Sequence, residues 1–136
     1  MEMPMTSAGT GRVTTTRPSF SGMSHISLPC RDLEESKILY SEVMGGELVH
    51  QITGFVEYKI EDIIIGVSEQ PDGWTGPDDE FPHYAFFVEA QDFTPMVSWL
   101  RQNGVTTSEP WTRDGIRGLL YFCDPSGNLF EIYCRN

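Results

Sequence analysis

Cations are scarce in this chain: nine Lys and Arg stand against 20 Asp and Glu, a net charge of −11 over 136 residues. Recognition of nucleic acid normally needs a basic stripe, so this balance argues against DNA or RNA as a partner. Cysteine is equally sparse. Cys30, Cys123 and Cys134 make an odd number without metal-type spacing, which argues against a disulfide framework and places the chain in a reducing cytoplasm. The three thiols read as small buried hydrophobes rather than nucleophiles. No apolar run approaches the ~20 residues needed to cross a bilayer, so no membrane partner is expected. Residues 1–22 lack the apolar core of about 7–15 residues that marks a signal peptide. Rich in Ser, Thr, Gly and Pro and without periodicity, they read as a flexible N-terminal tail. The remaining residues, 23–136, suffice for one core and therefore one domain.

What is present is a duplicated pattern. In Met23-Ser24-His25-Ile26-Ser27-Leu28, Ile26 and Leu28 share one face of a strand while His25 and Ser27 share the other. Pro29-Cys30-Arg31 then reads as a short link. Asp32 caps a helix with Glu35 three residues later, and Leu33, Ile38, Tyr40, Val43 and Met44 give that helix an apolar face ending at Gly45-Gly46. His83, 58 residues after His25, opens the same order again. Tyr84, Phe86 and Val88 face one way, with His83, Ala85 and Phe87 opposite. A helix then opens near Asp92 to Pro95 and stops at Gly104. Strands follow in each half: Phe55 to Ile60 and Asp62 to Ser68 in the first, Gly118 to Cys123 and Leu129 to Cys134 in the second. Two βαβββ halves, about 23–70 and 81–134, therefore make an α+β domain with helices on one side of each sheet. The 71–82 link contains Trp74, read as a cover for the open core edge or, alternatively, as a wall of the site mouth.

The candidate chemistry lies on the faces turned away from the helices. In Leu129-Phe130-Glu131-Ile132-Tyr133, Phe130 and Ile132 point one way, and Glu131 the other way with Leu129 and Tyr133. Two imidazoles, His25 and His83, and the Glu131 carboxylate are a donor set suited to a divalent metal. His50 is left outside this set.

These residues carry a family resemblance. Gly22-Met23-Ser24-His25-Ile26-Ser27-Leu28, Leu39-Tyr40-Ser41-Glu42-Val43-Met44-Gly45, His83-Tyr84-Ala85-Phe86 and Asp124-Pro125-Ser126-Gly127-Asn128-Leu129-Phe130-Glu131 resemble the vicinal oxygen chelate superfamily. That superfamily includes glyoxalase I, extradiol dioxygenases, fosfomycin-resistance enzymes and bleomycin-resistance proteins. The likeness covers about residues 21–134. It implies a cup of paired βαβββ modules around one metal, with ligands from the first, fifth and eighth strands, where His25, His83 and Glu131 fall. Glyoxalase I carries a fourth ligand on the fourth strand. In Ile63-Ile64-Ile65-Gly66-Val67-Ser68 the matching position is Gly66, which argues against the glyoxalase reaction. The local likeness to fosfomycin-resistance enzymes extends to Tyr121, but Trp111 stands where the thiol-transferase type has a lysine, which argues against fosfomycin as substrate.

The expectation is a metalloenzyme whose small substrate chelates the ion through adjacent oxygens. A two-His-one-carboxylate set favours Fe(II) and an O₂-dependent dioxygenase-type step, with Mn²⁺, Zn²⁺ or Ni²⁺ as other possible ions. The alternatives are a lyase, an isomerase or an epoxide-opening enzyme like the fosfomycin-resistance proteins, or an acidic drug-binding protein without catalysis. Tyr121 and Tyr133 are the candidates for proton transfer or substrate contact. Arg117, on the same strand parity as Tyr121, could point into the cup and meet an anion, but as a strand-end arginine it reads first as solvated. The resemblance also implies a homodimer with sites shared between subunits.

Overall fold

In the computed structural model, residues 17, 18, 21, 23–77, 83–113 and 116–135 are described. Most of the segment read as a tail, 1–22, and the end of the inter-half link, 78–82, lie outside them.

Each half builds one four-stranded sheet in the order the duplication requires. The first comprises β1 (Ile26–Cys30), β2 (Glu47–Ile52), β3 (Phe55–Ile60) and β4 (Ile63–Glu69), ordered β1-β4-β3-β2. The second comprises β5 (Tyr84–Phe87), β6 (Trp111–Arg113), β7 (Ile116–Cys123) and β8 (Leu129–Arg135), ordered β5-β8-β7-β6. β1 pairs parallel with β4, and β5 parallel with β8; the other pairs are antiparallel. The first strand of each half is therefore an edge.

The helices differ from expectation in detail. Asp32 caps α1 (Leu33–Lys37) by accepting from the backbone N–H groups of Glu34 and Glu35. The Glu35 side chain pairs with Arg31 instead of closing a capping box. From Ile38 to Val43 the chain widens into a π-helical segment, with Met44 N–H reaching back to Leu39 O at 2.9 Å. This extra residue per turn brings Leu39, Tyr40 and Val43 inward together, which the mixed three- and four-residue spacings only hinted at. Gly45, at φ +75°, ends the segment. α2 (Ala90–Gln102) opens two residues before Asp92, so Pro95 lies inside it. Pro29 and Cys30 belong to β1 and not to a link. β6 is a three-residue strand that no alternation in the sequence signalled.

One core joins the halves. Tyr40 stacks on Tyr58 at 5.9 Å and meets Phe130 edge-on at 6.0 Å; Phe122 stacks on Phe130 at 5.4 Å. Trp99 in α2 donates its indole N–H to Val43 O at 2.9 Å, satisfying a carbonyl at the end of the π-helical segment. The Asp124–Asn128 turn completes the seam. Buried Asp124 accepts from the N–H groups of Ser126 and Asn128, from Asn128 Nδ2 and from the Tyr40 hydroxyl, all within 2.9 Å. Asn128 Nδ2 also donates to Pro29 O at 2.7 Å, and Arg31 N–H to Ser126 Oγ at 3.0 Å. Gly127 holds φ +92°, which the turn requires. The most specific motif in the sequence is thus the device that fastens the second half to β1 and α1. The link runs past it, with Pro77 and Gly76 against Gly127 and Ser126, and Trp74 in that link is half-buried.

Candidate metal centre

Strand parity decides what each sheet presents on its outer face. Glu131 on β8 is in register with Ala85 on β5 and Tyr121 on β7. His83, one residue ahead of β5, keeps the parity of Ala85 and Phe87 and lies beside Glu131. His83 Nε2 is 4.0 Å from Glu131 Oε2, with the carboxylate buried and the imidazole partly so. Tyr121 meets the His83 ring edge-on at 5.3 Å, and Trp111 lies against Tyr121 at 5.0 Å. Tyr133, two residues beyond Glu131 on the same face, packs on Phe87 at 5.9 Å. Leu119 pairs with Tyr133 and is fully buried.

On the first sheet the matching face carries His25, Ser27, Phe55, Glu57 and Gly66. His25 Nδ1 is 2.8 Å from Ser24 Oγ and 3.9 Å from Glu57 Oε2. The Phe55 ring lies over Gly66, so that a Cβ there would meet it at 2.7 Å. The position of a fourth-strand ligand is thus filled by a ring. His50, on edge strand β2, is exposed, with its ring 6.4 Å from that of Phe55.

The structure brings His83 and Glu131 together and leaves His25 elsewhere. Among the described residues, no three His, Cys, Asp or Glu side chains of one chain converge as a metal site. The pair itself suits an ion. Two ligands each ~2.1 Å from one metal stand roughly 3–4 Å apart, depending on the angle between them, and the imidazole and carboxylate meet that condition. Arg117 does not share the parity of Tyr121. A bulge between Ile116 and Gly118 breaks the alternation, and Arg117 is exposed. Glu57, beside His25, is the polar residue that reading the strands singly missed. It was legible only as the Glu57 parity with Phe55 and Lys59, which by itself fits a solvated face.

β1 and β5, each paired on one side only, border a cavity of about 470 Å³ lined by Met23, Ile26, Ile63, His83, Ala85 and Phe87. Met23 and Phe87 are 77% and 65% exposed, a large apolar surface on two open strand edges.

Comparison with known proteins agrees with this architecture. A glutathione transferase, FosA, of Serratia marcescens is 28% identical over 114 residues, covering 82% of this chain and 79% of its own. A metallothiol transferase, FosB, of Staphylococcus saprophyticus is 24% identical over 116 residues, covering 82% and 75%. The solved fosfomycin resistance protein FosX of Listeria monocytogenes, complexed with Mn(II) and sulfate, superimposes with a TM-score of 0.74 at 21% identity, over 87% of this chain and 93% of its own. The Glyoxalase/Bleomycin resistance protein/Dioxygenase profile matches residues 22–132, from ahead of His25 to past Glu131, and the chain therefore belongs to that superfamily.

Proposed function

We propose that the protein is a divalent-metal-dependent enzyme that opens a small oxygen-bearing electrophile with a thiol or water, in the manner of the fosfomycin-resistance enzymes. The observation that carries this reading is the His83–Glu131 pair, 4.0 Å apart on the outer face of the second sheet. The two transferases among the relatives support an opening reaction over the O₂-dependent step that the ligand types alone favoured. Mn²⁺, held by the Listeria protein, is accordingly the first ion to test ahead of Fe(II).

His83 and Glu131 of one subunit would hold the ion together with His25 of a second. A homodimer is supported by the open β1 and β5 edges with their exposed Met23 and Phe87. A bound divalent cation supplies Lewis acidity and a template for adjacent substrate oxygens. The chain supplies the rest. Trp111, Tyr121 and Leu119 form an apolar and aromatic wall beside the pair, which excludes water from one side of the substrate. The Tyr121 hydroxyl is the candidate proton donor. As the nucleophile–carbon bond forms and the carbon–oxygen bond breaks, the released oxygen would take its proton there, and the proton lost by the thiol or water would restore the tyrosine hydroxyl. Tyr133 bounds the same face further along β8.

The test is Mn²⁺ binding and turnover by the purified protein with fosfomycin and with unsubstituted epoxides, each offered glutathione, a small thiol or water. Metal-dependent consumption of an epoxide supports the proposal. A protein that binds Mn²⁺ and turns over a catechol only in O₂ restores the dioxygenase reading, and one that takes up no metal but retains a cationic drug is a binder.

A further inference from the structure

The face around His25 contains an arrangement that neither the duplication nor the ligand set calls for. Ser27, Gly66 and Glu57 form one row across β1, β4 and β3, and His25 falls one pleat before it. β1 and β3 are two strand spacings apart, about 10 Å, normally too far for a Glu on one to serve a His on the other across an intervening side chain. Here the intervening residue is Gly66. The Glu57 Cγ lies 3.5 Å from where a Gly66 Cβ would be, so the side chain passes beside the Phe55 ring across a stretch of β4 that carries no side chain of its own. Its Oε2 arrives 3.9 Å from His25 Nδ1, while the carboxylate remains largely shielded, at 17% exposed.

We propose that Glu57 is a positioning residue for His25: reaching past Gly66, it holds the proton on Nδ1 and leaves the Nε2 lone pair available to a metal ion. The proposal rests on the reading of His25 as a metal ligand. A carboxylate beside one ring nitrogen favours the tautomer with the proton on that nitrogen. Ser24 Oγ, 2.8 Å from Nδ1, then accepts the hydrogen bond, and Glu57 biases its direction. Metal-binding histidines commonly have the second nitrogen fixed in this way, and loss of the fixing partner weakens metal binding. The glycine that removes a fourth ligand thus opens the lane for a carboxylate that orients the first.

Two readouts test this in the intact protein. Long-range ¹H–¹⁵N correlation of the His25 ring in the metal-free protein, at about pH 8.5, reports the tautomer. Calorimetry with Mn²⁺ reports affinity. Wild type is expected to show the Nδ1–H form. Glu57→Gln, which keeps shape and loses charge, is expected to move His25 toward the Nε2–H form and to weaken Mn²⁺ binding about 10-fold. Glu57→Ala should do the same, while Lys59→Ala on the same strand face should change neither. An unchanged tautomer or an unchanged affinity in Glu57→Gln overturns the proposal. A wild-type protein that takes up no Mn²⁺ overturns the metal reading instead, and the His25 tautomer then still decides whether Glu57 orients the ring.

Discussion

His83 and Glu131 owe their meeting to one register: β5 and β8 run parallel, Ala85 faces Glu131, and the residue two positions before Ala85 lies alongside. Replacing Glu131 by Gln removes the anionic donor with little change in shape, and Mn²⁺ affinity measured by calorimetry is expected to fall by at least about 100-fold. His50→Ala, on the exposed edge strand, should leave it unaltered. The buried Tyr40 hydroxyl gives a second residue-scale expectation. Burial, then the neighbouring Asp124 carboxylate and the hydrogen bond to it, hold its pKa well above the ordinary 10.0. The native state therefore keeps this proton at a pH where the unfolded chain has lost it. The stabilisation is whole below pH 10 and is lost as pH rises beyond it. Tyr40→Phe should cost about 1–2 kcal/mol at pH 7 and should flatten the alkaline fall in stability, as read from urea unfolding at several pH values; Tyr58, also raised by burial, would leave a smaller residual slope. Burial likewise pushes the Cys30 thiol up, with the nearby Ser36 hydroxyl acting in the opposite direction. Alkylation followed by mass spectrometry should find Cys30 unmodified until the protein unfolds.

Between elements, alternation carried most of the information. His25, Phe55, Glu57 and Glu131 could be assigned to outer faces because apolar residues on either side of each are spaced by two. The π-helical turn at Ile38–Val43 was hidden, because its widened spacing is set by Tyr40 seeking both Tyr58 and Asp124, contacts distant in sequence. β6 was hidden by its length, and a bulge near Arg117 shifts parity by one residue without a sequence marker, while its exposure agrees with the solvated strand-end reading. Helix–sheet contacts are equally invisible along the chain. Gly118 sits under the Phe93 ring of α2, where a Cβ would meet ring carbons at 2.9 to 3.0 Å. Gly118→Ala therefore requires the Phe93 ring to move aside, with an expected loss of about 1 kcal/mol in urea unfolding.

At the level of the whole molecule, the triad read from the sequence divides into a pair and a single residue. His83 and Glu131 share one sheet, and His25 belongs to the other, beside Glu57. Alternation in the sequence placed the three candidate residues on outer faces, but how the two sheets sit together depends on the docking of the halves, to which the Asp124–Asn128 turn contributes through Pro29, Arg31 and Tyr40. If His25, His83 and Glu131 hold one ion as proposed, a complete site would draw His25 from a second chain. The most direct measurement mixes a His25→Ala chain with a Glu131→Ala chain, each unable to bind alone, and counts bound Mn²⁺ after subunit exchange has been shown by mass spectrometry. Random pairing should restore about a quarter of the wild-type sites, since half the dimers are mixed and each holds one intact triad. No recovery despite complete exchange, or a wild-type monomer that binds one Mn²⁺ per chain, would contradict the shared site.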